Sequence, residues 1–188
     1  MRDDRRGCSI CGIENLVGSH AGGATEGHPY NGFKTTMQNE VVVRTAVGSE
    51  QKKLEALQWR ASLNNPGDRE ALLAHPDAIE LPLEQIIAGG VFVAEVAGSV
   101  MGFAAILPRE DGDFELDALF VEPNTWRQGI GRALVEHCAV AARSAGAESL
   151  HVVGNPHAEG FYIACGFNII GTKQMRFGIG LLMKKALC

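Results

Sequence analysis

The sequence is poor in the features that mark a nucleic-acid-binding protein or a disulfide-stapled secreted domain. Its 17 lysines and arginines are outnumbered by 22 aspartates and glutamates, so the net charge is −5 at pH 7. A basic face that neutralises phosphates is not expected, and we predict no nucleic-acid partner. Five cysteines are an odd number for a disulfide framework. Free thiols suit a reducing compartment, and we predict the cytoplasm.

A long uninterrupted hydrophobic run is also missing. The nearest approach is 86–107, which holds a single charge, Glu95, but is broken by four glycines. As a membrane helix this segment would bury Glu95 near its centre at a cost of about 3 kcal/mol. The Ala97-Gly98 pair instead predicts a hairpin turn between two buried strands. We therefore expect no membrane segment, and no leader peptide in the charged first residues.

Residues 1–40 lack the period of a helix or a strand and are rich in glycine. Such a stretch cannot bury enough surface to offset the entropy of ordering, so we predict a flexible N-terminal extension over 1–40. Its single Cys-x-x-Cys pair, Cys8 and Cys11, has no second ligand pair at a spacing that suits zinc. We predict no metal, and one domain over 41–188.

Beyond the extension, apolar residues alternate between the period of strands and that of helices. Predicted strands cover 41–44, 91–96, 99–107, 114–121, 149–153, 169–174 and 179–183. Predicted helices cover 50–63, 69–74, 82–88, 129–145 and 156–164. Ser49 is the expected N-cap of the first helix, and Asp68 that of the second. This order, with a long helix after a central strand, predicts an α/β fold in which a mixed sheet lies between helices.

The most specific local signal is the junction between the strand that ends at Val121 and the long helix. Gly129-Ile130-Gly131 opens that helix, and glycines there let a ligand approach the backbone closely. Consecutive amides and the positive end of the helix dipole can bind one anion, with Arg127 and Arg132 at its flanks. A diphosphate fits these requirements. Glycines that only ease packing of the helix on the strand are the simpler alternative.

Two other phosphate-binding motifs do not fit this junction. A Walker loop would need Lys-Ser or Lys-Thr after the glycines, and neither is present. A dinucleotide fingerprint would need glycine or alanine at the position of Leu134, and parallel rather than hairpin strands before the loop. A nucleoside-triphosphate enzyme is therefore disfavoured.

Two motifs in tandem resemble those of the GNAT superfamily of N-acyltransferases. The first is Arg127-Gln128-Gly129-Ile130-Gly131-Arg132, preceded by Leu119-Phe120-Val121-Glu122-Pro123; the second runs from Asn155 to Phe167. The motifs cover 114–172, and the element order extends the likeness to Val41. The resemblance implies a GNAT-like fold with a mixed, mostly antiparallel sheet of about seven strands and helices on both faces.

The same resemblance implies an activity. It is the transfer of an acetyl or other acyl group from acetyl-CoA to a primary amine of a small molecule or peptide, by direct attack and without a metal. A non-catalytic acyl-CoA sensor with the same fold is the alternative. The resemblance also makes a homodimer an expectation.

Cofactor-binding residues follow from the motifs position by position. The backbone of Leu119, Phe120 and Val121 is implied to pair with the pantetheine arm, and Asn155 to hold that arm with its amide. The pyrophosphate is implied to lie against the loop formed by Arg127, Gln128, Gly129, Ile130, Gly131 and Arg132. Trp126 departs from the family, which usually has Gln or Arg there. Asn155 is also a good N-cap for a helix that begins with Pro156.

Tyr162 matches the family tyrosine near the thioester sulfur, so the resemblance implies a general acid that protonates the departing thiolate. The alternative is that Phe161 and Tyr162 simply pack a short helix. Glu115 and Asp117 are two apart on the central strand, hence on one face, and are the candidates for the base that takes the amine proton. Their alternative role is a polar strand edge or a contact with a charge on the substrate. The family glutamate on the next strand has no counterpart here, where His151 stands instead.

Overall fold

The computed structural model describes residues 40–65, 69–176 and 178–188, so the predicted extension over 1–40 lies almost wholly outside it. The strands are β1 (Val41–Thr45), β2 (Val91–Val96), β3 (Ser99–Pro108), β4 (Phe114–Val121), β5 (Ser149–Gly154), β6 (Asn168–Met175) and β7 (Gly178–Ala186). The helices are α1 (Gln51–Leu63), α2 (Arg69–Ala74), α3 (Leu83–Ile87), α4 (Ile130–Ser144) and α5 (Glu159–Ala164). None of these helices has both the length and the apolar character needed to cross a bilayer.

Over the described residues, the strands form one sheet in the order β1-β2-β3-β4-β5-β7-β6. Neighbouring strands are antiparallel except β4 and β5, which are parallel. The predicted class, a mixed and mostly antiparallel seven-stranded sheet between helices, is confirmed. The turn at Ala97-Gly98 has φ of 49° and 75°, the paired positive values of the tight hairpin turn that was predicted.

Each face of the sheet has its own core. On one face α4 and α5 cover residues of β2–β5 and β7, and Leu134, Cys138 and Tyr162 are buried there. On the other face α1 and α3 cover the centre of β2, β3 and β4. Glycine is needed at Gly102 in β3, because a Cβ there would lie 2.9 Å from the Phe120 carbonyl oxygen and 3.2 Å from Ile130. That absence of a side chain lets the first turn of α4 lie close against the sheet.

Strand β4 changes its pairing halfway along. Its register with β5 extends only from Phe114 to Leu116, whereas its register with β3 continues to Val121. The β3 register also passes over Asp117, which marks a bulge. From the bulge onward, β4 and β5 have no common ladder, so the sheet opens at the end where α4 begins.

Some predicted boundaries were wrong: α5 begins at Glu159 after a 3-10 turn over Pro156–Ala158, β7 extends to Ala186, and the predicted cap of α1 was also wrong. Ser49 does not cap α1; it lies within a short 3-10 turn, Gly48–Glu50, and α1 begins at Gln51 without a side-chain cap. Glu50 takes over the local role, because its carboxylate accepts the Val47 amide at 2.9 Å and pairs with Arg44. A carboxylate with a cation partner thus organises this turn. Asp68, the predicted cap of α2, falls outside the described residues.

Candidate active site

A cavity of about 200 Å³ lies where β4 ends and α4 begins. The first motif supplies most of its wall, and α5 supplies the rest. The lining residues are Val121, Thr125, Trp126, Arg127, Gly129, Ile130, Gly131, Arg132, Phe161 and Ala164. Sequence reasoning predicted the loop as a binding site but missed the contribution of Phe161 and Ala164. No local signal links them to the loop, because the contact depends on how α5 packs beside α4.

The loop backbone has the shape that an anion site requires. Arg127 has φ of 66°, and Gly129 has φ of 84° and stands at the N-cap position of α4 without a side-chain cap. Two left-handed residues with one residue between them turn the chain sharply into the helix, and the first amides of α4 have no intrahelical acceptor. The amides and the helix dipole therefore favour negative charge at the cavity.

The two arginines of the loop differ in how they are held. Arg127 is exposed at the mouth of the cavity. Arg132 donates from its guanidinium to the Ala164 carbonyl at 3.0 Å, so it joins the first turn of α4 to the end of α5. On the far side, Arg60 of α1 pairs with Glu122, directly after β4. Sequence reasoning missed both of these contacts.

Along β4, main-chain groups alternate between β3 and the open side. The Glu122 amide donates to the Met101 carbonyl at 2.8 Å. Hydrogen-bonded pairs alternate along an antiparallel ladder, and Phe120 lies opposite Phe103, so the Phe120 amide and carbonyl face β3. The groups of Leu119 and Val121 therefore point towards β5, past the end of the β4–β5 ladder. Of the three predicted pantetheine-pairing residues, Leu119 and Val121 have main-chain groups on the open edge, and those of Phe120 are directed to β3.

Trp126 occupies part of this edge. Its indole Nε1 donates to the Val121 carbonyl at 2.9 Å, and its half-buried ring packs against the α4-side core and lines the cavity. The residue that departs from the family motif is therefore hydrogen bonded to one of the residues predicted to bind the cofactor.

Asn155 and Tyr162 follow β5 and are both buried, and neither is among the residues that line the cavity. The Asn155 side chain accepts the His157 amide at 2.9 Å, so the predicted N-cap role is confirmed. Tyr162 is fully buried, and its ring stands edge-on to Phe161 and Phe167. A Cβ on Gly154, the last residue of β5, would lie 2.8 Å from the Tyr162 ring. Gly154 therefore leaves the space that this ring fills.

Glu115 and Asp117 share one face of β4, as predicted. Leu116 points into the α4-side core, so Glu115 points to the face covered by α1 and α3. The bulge interrupts this alternation at Asp117, whose side is fixed by its contact with α3 on the same face. Asp117 accepts a hydrogen bond from Gln85 of α3 at 3.4 Å. Glu115 lies 3.5 Å from Arg109. Asp117 is thus held at the bulge, next to the opening, whereas Glu115 lies in the fully paired half of the strand.

A group of charged residues at the start of β4 was not predicted. Asp113 accepts the Ser149 and Glu148 amides at 2.8 and 3.1 Å, and lies 3.0 Å from His151 Nε2 and 3.7 Å from Lys184. The contact with His151, backed by the two amides and Lys184, holds the pKa of the Asp113 carboxyl below its ordinary value, against the effect of burial. This group fixes β5 beside β4.

Asp111, Asp113 and His151 also have the ligand types of a cation site, with their ligand atoms within 4.8 Å of one another. Arg109 and Lys184 already pair with the two carboxylates. The predicted absence of a metal remains a prediction.

Comparison with known families identifies the class. The sequence model of the Acetyltransferase (GNAT) family matches residues 54–167, more than half of the chain, so the chain belongs to this family. Uncharacterized N-acetyltransferases of Mycobacterium bovis and Mycobacterium tuberculosis are 30% identical to it over 91 residues. That match spans 47% of this chain and 58% of each relative, so the chain matches somewhat more than half of their length.

Solved structures share the fold at low identity. The PaiA N-acetyltransferase of Thermoplasma acidophilum, solved with coenzyme A, has a TM-score of 0.64 at 16% identity, covering 78% of this chain and 99% of its own. Ard1 of Thermoplasma volcanium has a TM-score of 0.61 at 18% identity, covering 79% and 98%. YncA of Salmonella typhimurium, solved with acetyl-CoA, has a TM-score of 0.59 at 20% identity, covering 79% and 95%. These likenesses concern the fold alone.

Proposed function

We propose that this protein transfers an acetyl group from acetyl-CoA to a primary amine. One observation carries the proposal: the open edge of β4 ends directly beside the amide-lined cavity at the start of α4. A ligand suited to both must join an extended, amide-containing arm to a diphosphate. Coenzyme A has this composition. PaiA and YncA were solved with coenzyme A and acetyl-CoA, which supports the same ligand here.

In the proposed complex, the pyrophosphate lies against the amides from Arg127 to Arg132, and the arm adds to β4 at Leu119 and Val121. Backbone amides at this edge then face the thioester carbonyl, where they stabilise the oxyanion of the tetrahedral intermediate. The Asn155 side chain already accepts the His157 amide through its oxygen. Its NH₂ group is the part that contacts the arm in the proposal.

The chemical step is direct attack of a neutral amine on the thioester carbonyl. A carbon–nitrogen bond forms, the carbon–sulfur bond breaks, and the amine loses one proton. Asp117, at the bulge beside the opening, is the proposed acceptor of that proton, directly or through water, with Glu115 as the second candidate. Tyr162 donates its phenol proton to the departing thiolate. The carboxyl that took the amine proton then releases a proton as Tyr162 regains one, so no proton is gained or lost overall.

Replacement of Tyr162 by Phe tests the acid role. Turnover, followed by release of the coenzyme A thiol, should fall by about a hundredfold or more, because general acid catalysis contributes about 10²–10⁴. Affinity for acetyl-CoA, measured by calorimetry, should stay within about twofold, because the phenol makes no ground-state contact that the proposal requires. Unchanged turnover would refute the acid role of Tyr162.

The alternative, a non-catalytic acyl-CoA sensor, predicts a different pattern. A sensor would bind acetyl-CoA yet release no thiol above the uncatalysed rate with any amine of a broad panel. The panel should contain small primary amines and peptides with free N-termini, because both acceptor classes are compatible with the proposal. Thiol release that depends on one class, and that is lost in Tyr162→Phe, would favour the enzyme and name its acceptor.

A second copy of the chain is the proposed partner. The last hairpin forms the β6 edge of the sheet, and Ile169, Ile170 and Ile179 on it are 45%, 59% and 59% exposed. Light scattering should then give twice the mass of one chain, and Ile170→Lys should shift it to the monomer.

We retain the cytoplasm as the proposed compartment, because Cys138 and Cys165 are buried free thiols.

A further inference from the structure

Trp126 is placed at the point where the cavity meets the open edge of β4. Its indole Nε1 donates to the Val121 carbonyl at 2.9 Å, and its ring forms part of the cavity wall. The adjoining backbone is sharply turned, because Arg127 has a left-handed φ of 66°. Only one other tryptophan, Trp59 in α1, is present in the chain.

The carbonyl that Trp126 binds is the outermost one on the open edge. Val121 is the last residue of β4, and its main-chain groups point away from β3. A donor to a carbonyl lies near the carbonyl plane, on the side of its lone pairs. The indole N–H must therefore lie on the open side of β4. An added strand would run on this side, about 4.8 Å from β4.

An arm that adds to β4 needs the same carbonyl. An extended chain with amide groups pairs with a strand by donating to its outward carbonyls and accepting from its outward amides. At Val121 the ring of Trp126 stands where the donating amide of the arm would be. The indole and the arm therefore compete for the Val121 carbonyl, whereas a ligand confined to the cavity does not need that carbonyl.

We propose that Trp126 gates the cofactor arm. In the free protein its indole N–H holds the Val121 carbonyl, and on binding it yields that carbonyl to an amide of the pantetheine arm and moves aside. The inference rests on the proposed binding of acetyl-CoA. It assigns a specificity role to the one position where the loop departs from its family, and it makes binding of the arm weaker than an open edge would allow.

Trp126→Phe removes the N–H and keeps an aromatic ring. Affinity for coenzyme A should rise about fivefold in this variant, the effect of one net hydrogen bond that no longer competes. Adenosine 3′,5′-bisphosphate lacks the pantetheine arm, so its affinity should not share this rise, and the ratio of the two affinities should shift about fivefold towards coenzyme A. Equal changes for the two ligands, no change for either, or weaker coenzyme A binding would each overturn the gate.

The indole proton gives a second readout in a protein with an unaltered gate. Trp59→Phe leaves Trp126 as the only tryptophan, so its Nε1–H gives a single indole signal in a nitrogen-15 correlation spectrum. Coenzyme A should move this signal upfield, as expected when the N–H loses its carbonyl acceptor, while adenosine 3′,5′-bisphosphate should leave it close to its free position. A signal that both ligands move equally, or that neither moves, contradicts the inference.

These experiments separate the gate from the function beneath it. If coenzyme A does not bind to the unaltered protein by calorimetry, the proposed function fails. If coenzyme A binds but Trp126→Phe leaves the ratio of the affinities for coenzyme A and adenosine 3′,5′-bisphosphate unchanged, only the gate fails. Thermal unfolding of each variant establishes that the fold is retained, and the indole spectrum decides the matter if Trp126→Phe does not fold.

Discussion

The two halves of β4 differ in the strands with which they pair. From Phe114 to Leu116 the strand is paired on both sides, and the Asp113 contacts fix the parallel neighbour beside it. From the bulge at Asp117 to Val121 it is paired with β3 alone. The first half uses its hydrogen-bonding groups within the sheet, whereas in the second half those of Leu119 and Val121 point to the open side, where we propose that the ligand pairs. Changes at the open end should therefore affect binding and turnover, and changes at the paired end should affect stability.

Gly154→Ala should have the largest effect. Its Cβ would lie 2.8 Å from the Tyr162 ring, so the ring must move within a packed core. Displacement of this proposed general acid should lower turnover about a hundredfold. Gly171→Ala is the matched control, because its Cβ would meet only Leu182 at an ordinary 3.7 Å. Comparable turnover in the two variants would show that the position of Tyr162 does not matter.

A pair of left-handed glycines sharpens the comparison further. Gly129 at the open end and Gly112 before the paired end have φ of 84° and 86°, and neither has a neighbour that a Cβ would contact. Alanine at either position should cost about 1–2 kcal/mol of stability through backbone strain. Only Gly129→Ala should also weaken acetyl-CoA binding, by roughly tenfold, because it disturbs the amides at the start of α4. If both variants bound acetyl-CoA equally well, the loop would not be part of the binding site.

Asp113→Asn tests the paired end and should have the smallest effect on catalysis. The folded pKa of Asp113 is lowered, so its stabilisation is complete above the unfolded value of about 3.9 and is lost as the pH falls through the folded pKa. The variant should lose about 1–2 kcal/mol at pH 7 and depend less on pH below about 4. Denaturant unfolding across pH measures both. A loss of coenzyme A affinity in Asp113→Asn would contradict the division of β4 into a paired half that supports the fold and an open half that binds the ligand.

Local patterns in the sequence were sufficient to predict the elements around the site. The predicted limits of α2, β2 and β4 coincide with those in the structure, because each has a complete apolar period bounded by turn residues. The order of the strands, with β7 between β5 and β6, could not be read from those patterns, because it depends on which strands meet in space.

The residues of the candidate site, too, could be predicted only where they lie close together in the sequence. Its loop was predicted from consecutive residues, but the Asp113–His151 contact joins residues 38 apart and exists only because β4 and β5 run in parallel. An aspartate just before one strand and a histidine within its parallel neighbour would have been a usable signal had that pairing been known. The contact of Trp126 with Val121 is local, yet it needs the left-handed turn at Arg127, which no residue preference predicts there.

Amide hydrogen exchange along β4, with and without coenzyme A, tests the central claim most directly. The claim is that Leu119 and Val121 direct their main-chain groups to the cofactor while Phe120 is committed to β3. We predict that coenzyme A slows exchange at Leu119 and Val121, and that Phe120 is already protected without it. Unchanged exchange at Leu119 and Val121 in the fully bound protein would contradict the account.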